Sequence, residues 1–252
     1  MFVANSDAAA LHFSIACGGC RIKMHASWKS EYLKTPSGCG KSPPARFPTT
    51  AEPNPTPLNP KPKIPVTIHD APLSGVQIID LDVYADDRGD FRELWNAERY
   101  REHGLDVSFV QDNLSRSSEG VLRGLHFQNP HPQGKLVTVF QGEVYDVAVD
   151  VRKNSDAFGQ WYGIKLSASD SRQFYVPEGF AHGFVVTRGP ALFHYKCTDV
   201  YVPNADHSIR WNDPALAIDW PVRDPILSDK DADAPALEDL PAEALEFAAP
   251  AE

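Results

Sequence analysis

Cysteine is scarce in most of this chain, and long hydrophobic runs are missing. Of the four cysteines in 252 residues, three (Cys17, Cys20 and Cys39) precede residue 66 and only Cys197 follows it. A single thiol cannot form a disulfide framework, so we expect the body to fold in a reducing compartment and predict a cytoplasmic protein. No apolar run approaches the roughly 18 residues that a membrane span needs, and the first residues lack the basic lead of a signal peptide.

Positive charge is scarce beyond residue 65. Residues 1–65 contain eight Lys and Arg against three Asp and Glu, whereas the remainder contains 16 against 31. Phosphate affinity for nucleic acids depends on clustered Lys and Arg, so an acidic body argues against such a surface. We therefore expect no nucleic-acid partner and no membrane partner. A nucleotide ligand is still compatible, because it needs only a few local cations.

Proline is abundant between Thr35 and Pro65, in a stretch that is also rich in serine and threonine. This composition disfavours a packed core, and we predict that residues 1–65 are a disordered extension. Alternatively, they are an upstream extension of a natural protein that begins near Val66, where the sequence is typical of a domain start.

The extension also contains one CxxC pair, Cys17 and Cys20, which alone supplies half of a zinc site. Cys39 and His25 are conceivable further ligands, but their spacing matches no zinc finger. A functional zinc site here is the less favoured interpretation.

From Gly75 onward, short runs rich in Val, Ile, Phe and Tyr are separated by Gly, Pro, Asn or Asp. They are VQIIDLDVY, KLVTVF, EVYDVAVDV, WYGIKLS, RQFYVP, GFVVT and ALFHYKCT. This pattern predicts an all-β sandwich or barrel. Only Gln141 and Gly142 separate KLVTVF from EVYDVAVDV, which predicts a tight hairpin.

One early helix is predicted over AERYREHG, because Asn96 can cap it and Gly104 can end it. After Trp220 the chain becomes proline-rich and acidic. We therefore predict one domain over 66–240, followed by an acidic tail over 241–252.

Three stretches place titratable residues among these apolar runs: QDNLSRSSEGVLRGLHFQ, HPQGKL and VPEGFAHGF. They contain Arg123, His126, Lys135 and His182. Any one of these alone would more often be structural or simply exposed. Two histidines and two cations together are typical of a site where burial and neighbouring charges tune a base and an anion stabiliser.

A metal site is the alternative interpretation, since cupin-type sandwiches often bind a metal through an HxH pair, a Glu and a later His. That pair is missing here. His126 and His131 are five residues apart with Pro130 between them, so they cannot share one face of a strand. We predict no metal ligands and no cofactor.

Nine blocks occur in order between about Gly75 and Pro235: DDRGDFRE, QDNLSRS, GVLRGLHFQ, QGKLV, QGEVYDVAVDVR, VPEGFAHGF, YKCTD, WNDP and LSDKD. Through this ordered set the chain resembles the dTDP-4-dehydrorhamnose 3,5-epimerase family of the cupin superfamily. The resemblance implies an all-β, cupin-type jelly-roll sandwich with a few short helices. It also implies a homodimer that converts dTDP-4-keto-6-deoxy-D-glucose to dTDP-4-keto-L-rhamnose by inverting carbons 3 and 5.

The resemblance further implies catalytic roles for three residues. His126 corresponds to the general base, and Asp231 to the carboxylate that orients it. Tyr195 corresponds to the acid on the opposite face of the sugar.

Substrate-binding roles follow from the same resemblance. Lys135 and His182 correspond to residues near the ketone oxygen, where they would stabilise an enolate. Four residues match positions that contact the sugar or the diphosphate: Glu93, Gln111, Asn113 and Arg123. Arg92 fits a phosphate contact that is supplied across a dimer. Leu114 stands where many members have a His, and we interpret it as a change in the pocket wall.

Two other functions stay open at this point. One is a single-centre epimerase or a 3,4-ketoisomerase of another dTDP-deoxysugar pathway. The other is a nucleotide-sugar-binding cupin without turnover. The joint presence of His126, Tyr195 and Asp231 favours an enzyme, because a degenerate copy would be expected to have lost at least one of them.

Overall fold

A computed structural model describes residues 66–247 and, near the N-terminus, only the backbone of two short paired strands, β1 (Ala16–Cys17) and β2 (Cys20–Arg21). The predictions of a disordered extension and of a half zinc site concern residues that otherwise lie outside this description. The domain limits proposed from the sequence stay predictions.

Within residues 66–247 the chain is mainly β-structure with a few short helices, as predicted. The strands are β3 (Val66–Asp70), β4 (Gln77–Leu81), β5 (Tyr84–Asp86), β6 (Gly89–Phe91), β7 (Gln111–Ser117), β8 (Leu122–Gln128), β9 (Lys135–Asp150), β10 (Trp161–Ser167), β11 (Arg172–Val176), β12 (Phe180–Cys197) and β13 (Asp206–Ser208). The helices are α1 (Ala97–Glu102), α2 (Asp229–Ala232) and three 3₁₀ turns at Pro203–Ala205, Leu237–Asp239 and Ala242–Leu245.

The predicted early helix is confirmed as α1. The Asn96 side chain accepts a hydrogen bond from the backbone N–H of Arg99 at 3.2 Å, which satisfies one of the free donors of the first turn. Gly104 follows the helix with a φ of 97°, a conformation that glycine adopts without steric cost.

Two long antiparallel strands, β9 and β12, connect two sheet layers. The first half of β9 pairs with β11 and its second half with β10. Likewise, the first half of β12 pairs with β8 and its last seven residues with β7. One layer therefore runs β3, β4, β11, β9, β12, β7, and the other runs β10, β9, β12, β8, β13.

The predicted hairpin at Gln141 and Gly142 is wrong, because KLVTVF and EVYDVAVDV are two halves of the single strand β9. Both halves pair with β12 instead of with each other. Gly142 has a φ of 78°, and a Cβ there would lie 2.6 Å from the carbonyl oxygen of Arg188. Glycine thus permits a bend where the crossing strand approaches closely, a role that local sequence does not distinguish from a turn.

Alternation along the strands divides their side chains between an inner and an outer face. The inner cluster between the layers includes Val137, Val144, Ala148, Phe174, Phe180, Phe184 and Phe193. A second cluster lies on the outer face of the layer that contains β8, where the C-terminal segment covers it with Trp220, Leu237 and Leu245. Because Leu245 packs in this cluster, the segment that covers it continues beyond residue 240, the predicted end of the domain.

Candidate functional site

Polar residues interrupt the inner face of β9 and β12, which is otherwise apolar. Asp146 lies between the inner residues Val144 and Ala148 of β9. His182 lies between Phe180 and Phe184 of β12 in the same way. Burying such groups is unfavourable unless they are paired, so their presence inside the sandwich indicates a function.

His126 projects from β8, directly beside His182 in the register of β8 with β12. Its neighbours Leu125 and Phe127 belong to the outer cluster, so alternation turns His126 toward the interior. The Nε2 atom of His126 lies 2.6 Å from Oδ1 of Asp231, and the His126 side chain remains 30% exposed. The imidazole of His126 is therefore hydrogen-bonded and still accessible.

Asp231 reaches His126 from the short helix α2, 105 residues farther along the chain. The Ser228 hydroxyl donates a hydrogen bond to its Oδ2 at 2.7 Å. Burial on its own would raise the pKa of Asp231, but hydrogen bonds from His126 and Ser228 outweigh it and hold that pKa below its usual range. Asp231 is therefore held as a carboxylate.

A second His–Asp pair lies deeper in the sandwich. The Nε2 atom of His182 is 2.7 Å from Oδ1 of Asp146, whose side chain is completely buried. Burial raises the pKa of Asp146, while His182 and Lys135 oppose that shift. Its Oδ2 accepts no hydrogen bond from the described residues. Sequence reasoning missed Asp146, although a carboxylate in the inward phase of an apolar strand was an available signal.

Lys135 begins β9 and is also buried. Its Nζ lies 3.5 Å from the backbone oxygen of His126, which brings a cation next to the exposed imidazole. Burial lowers the pKa of Lys135, and the neighbouring Asp206 and Asp146 oppose part of that shift. Loss of a proton from this amine thus becomes easier than in water, while the acidic neighbours favour the ammonium form.

Tyr195 lies in the last part of β12, opposite Asn113 of β7 and Val137 of β9. Its ring packs against the inner cluster at 6.0 Å from that of Phe193. Burial raises the pKa of Tyr195, so that the phenol keeps its proton at neutral pH.

Gln111 and Asn113 share one face of β7, and the Gln111 amide donates to the Asn113 oxygen at 3.2 Å. Asn113 in turn donates to the buried Cys197 thiol at 3.6 Å. Arg123 of β8 donates to the Ser117 hydroxyl at 3.1 Å. These groups therefore lie on β7 and β8, the two strands that pair with successive parts of β12.

Leu114 does not belong to this face. It alternates with Asn113 along β7 and is 63% exposed, so the interpretation of Leu114 as a pocket-wall residue is wrong. Leu114 was assigned to the pocket because it directly follows Asn113 in the sequence. In a β-strand, however, consecutive residues point to opposite faces of the sheet.

Arg92 and Glu93 are not brought to the histidines within this chain. Arg92 donates to Asp90 at 2.8 Å and to the carbonyl of Ala168 at 3.0 Å, in a cleft of about 310 Å³ beside Phe140. Glu93 forms an ion pair with Arg99 of α1. Both residues follow the β5–β6 hairpin, whose Phe91 is 61% exposed.

The described part of the chain contains neither a metal-binding cluster nor a membrane-spanning helix. No three His, Cys, Asp or Glu side chains among residues 66–247 are grouped so that they could hold a metal ion. Likewise, no helix in that part of the chain is long and apolar enough to cross a membrane.

Comparison with known proteins gives close relatives. A family profile described as dTDP-4-dehydrorhamnose 3,5-epimerase matches residues 70–239. The protein of that name from Methanothermobacter thermautotrophicus is 54% identical over 162 residues, which cover 63% of this chain and 88% of the relative. The one from Pseudomonas aeruginosa is 55% identical over 159 residues, or 62% and 88% of the two chains.

Solved structures agree with these sequences. The dTDP-6-deoxy-D-glucose-3,5-epimerase of Legionella pneumophila, in complex with dTDP-4-keto-L-rhamnose, is 50% identical with a TM-score of 0.70, covering 73% of this chain and all (100%) of that one. A 3'-monoepimerase from Streptomyces bikiniensis in complex with dTDP-quinovose is 33% identical with a TM-score of 0.64, covering 68% and 87%. The expected cupin-type jelly roll is thereby confirmed.

Proposed function

Because the chain belongs to the dTDP-4-dehydrorhamnose 3,5-epimerase family, we propose that it is an isomerase that inverts carbons 3 and 5 of dTDP-4-keto-6-deoxy-D-glucose and yields dTDP-4-keto-L-rhamnose. The observation that carries this proposal is the pairing of an accessible His126 with a buried Asp231 at 2.6 Å, beside the buried cation of Lys135. An oriented base next to a site for developing negative charge suits proton abstraction beside a ketone.

The first step would be removal of the proton from the carbon beside the ketone by His126. A hydrogen bond from Nε2–H to Asp231 leaves Nδ1 as the basic nitrogen, and the ionised Asp231 stabilises the imidazolium that forms. The C–H electron pair moves into the enolate, so that negative charge develops on the ketone oxygen.

Lys135 and His182 would stabilise that oxygen. Both are buried, where a charge interacts more strongly than in water, and both are held by the rigid strands β9 and β12. His182 is oriented through its bond to Asp146. Because the substrate's own ketone takes up the electrons, the reaction requires neither a metal nor a redox cofactor.

Inversion then needs a proton from the opposite face, and we assign that donation to Tyr195. Its phenol keeps its proton at neutral pH. The base lies on β8 and the acid on the far half of β12, so the two groups approach the interior from different strands.

Binding of the sugar and the diphosphate is assigned to Gln111, Asn113 and Arg123 on β7 and β8, with Glu93 and Arg92 added from a second subunit. The exposed Phe91, and the contacts of Arg92 and Glu93 with residues other than the two histidines, support a homodimer in which the β5–β6 hairpin reaches the partner. Light scattering tests this, and a monomer at working concentration would contradict it.

The proposed function is tested by NMR of deuterium incorporation from heavy water into dTDP-4-keto-6-deoxy-D-glucose, with EDTA present. Label at carbons 3 and 5 is expected. Label at one carbon would indicate a single-centre epimerase, and bound ligand without label would indicate a binding protein.

Three variants sharpen the assay. His126→Ala should lose label at both carbons, and full retention would contradict its role as the base. Tyr195→Phe should keep proton removal but lose inversion. His103→Ala, at the exposed end of α1, serves as the matched control and should behave as the wild type.

A further inference from the structure

Ser228 lies between the catalytic carboxylate assigned above and the start of the helix that carries it. It is the N-cap of α2, and its hydroxyl oxygen accepts a hydrogen bond from the backbone N–H of Asp231 at 3.2 Å. The same hydroxyl donates to Oδ2 of Asp231 at 2.7 Å. One side chain therefore contacts both the backbone and the carboxylate of a single residue.

We propose that Ser228 is a positioning residue for the His126–Asp231 pair, because its hydroxyl holds the plane of the carboxylate in the orientation that keeps an oxygen on the imidazole. The terminal torsion of an aspartate is broad and roughly two-fold, so the carboxylate turns unless both oxygens are held. Oδ1 accepts from His126 at 2.6 Å and from the Gly124 N–H at 3.4 Å. Among the described residues, Oδ2 is held by Ser228 alone.

This contact does more than a helix cap requires. A cap needs only an acceptor for a free backbone N–H, and Asp or Asn supplies that as well as Ser does. Donation to the carboxylate requires an O–H in addition. Helix α2 has a single turn, Asp229–Ala232, so its backbone gives little rigidity of its own. The hydroxyl is thus the direct link between the start of the helix and the orientation of Asp231.

The kinetic test of this inference rests on the proposed epimerase function. Ser228→Ala should lower kcat about 10- to 100-fold while KM changes less than about three-fold, because an oriented base matters for the chemical step and less for binding. Ser228→Thr keeps the cap and the donor and should recover most of the rate. Ser228→Asp keeps a cap acceptor but has no donor when ionised, so it should stay slow.

A double-mutant cycle separates positioning from stability. If Ser228 acts through Asp231, Ser228→Ala should cost little further rate in an Asp231→Asn background. A role limited to helix stability predicts the same loss in both backgrounds. Equal losses would therefore overturn the inference, as would a Ser228→Asp variant as active as the wild type.

A readout without turnover keeps this test independent of the proposed function. The imidazole N–H proton of His126 that faces Asp231 should give a downfield NMR resonance, assigned by its loss in His126→Asn. The resonance should broaden or vanish in Ser228→Ala and persist in Ser228→Thr. An unchanged resonance in Ser228→Ala contradicts the inference, whereas absence of wild-type deuterium exchange contradicts only the epimerase function.

Discussion

Two His–Asp pairs have their histidines on the neighbouring strands β8 and β12, and the pKa values of their carboxylates are shifted in opposite directions. His126 pairs with Asp231, whose pKa is lowered, and His182 pairs with Asp146, whose pKa is raised. The distances are almost equal, 2.6 and 2.7 Å, so the pairing itself does not cause the difference.

Burial raises the pKa of both carboxylates; it prevails in Asp146, whereas in Asp231 a larger number of donors outweighs it. Asp231 receives hydrogen bonds from His126 and Ser228 and a long one from the Gly124 N–H, which together outweigh its burial. Asp146 receives one hydrogen bond, from His182, and its second oxygen has no donor among the described residues. The solvated surface of the histidines differs too, at 30% for His126 and 8% for His182.

The same type of residue pair can therefore serve two purposes. A fully ionised carboxylate behind an accessible imidazole makes a base that can collect a proton. The buried carboxylate of Asp146 has a hydrogen bond to only one of its oxygens and interacts with both His182 and Lys135. Such a group is suited to hold His182 as a fixed donor to a substrate oxygen. The same substitution made in each pair should therefore have unequal effects.

The largest difference is expected between His126→Asn and His182→Asn. Loss of the base should reduce deuterium exchange at both carbons about 10⁴-fold, whereas loss of one oxyanion donor should cost about 10²-fold. Initial rates of label incorporation measure both variants. Equal losses would mean that the two histidines are not functionally distinct, and a larger loss in His182→Asn would reverse their roles.

A smaller difference is expected when the carboxylates are exchanged for amides. Asp231→Asn leaves His126 present but badly oriented, and kcat should fall on the order of 10³-fold. Asp146→Asn keeps a hydrogen-bonding group beside His182, and its kcat should fall on the order of 10-fold. Steady-state kinetics gives both numbers. An Asp146→Asn variant slower than Asp231→Asn would assign the oriented base to the deeper pair.

The sequence predicted those features that depend on local signals or on contiguous blocks. Helix α1 was predictable because Asn96 caps it from an adjacent position. The β-rich body was predictable because its strands alternate with turn residues. His126, Lys135 and His182 stood out as polar residues within apolar runs, and the structure places Lys135 and both histidines on neighbouring strands.

Features that depend on long-range pairing could not be predicted in the same way. The residues around Gly142 predict a turn between two strands. Because β12 approaches closely there, Gly142 instead forms a bend within one strand. Asp146 was missed because its importance depends on His182, which lies 36 residues away in sequence. Arg92 and Glu93 follow a hairpin that extends from the body, and no property of a single chain says which subunit they serve.

The smallest effect, on the order of 1 kcal/mol, is expected in the pH dependence of the free energy of unfolding. Asp231 has a lowered pKa in the folded state, so it contributes stability above about pH 4 that is lost as the pH falls through its folded pKa. The stability gap between wild type and Asp231→Asn should therefore widen from pH 3 to pH 7.

Asp146 should give the opposite slope. Its folded pKa is raised, so its stabilising contribution is complete below about pH 4 and is lost as the pH rises through the folded pKa. Wild type should lose stability relative to Asp146→Asn over the same range. Urea unfolding at each pH measures both gaps, with Asp224→Asn as an exposed control whose profile should parallel the wild type. Slopes of the same sign for the two buried carboxylates would contradict the electrostatic distinction between the pairs.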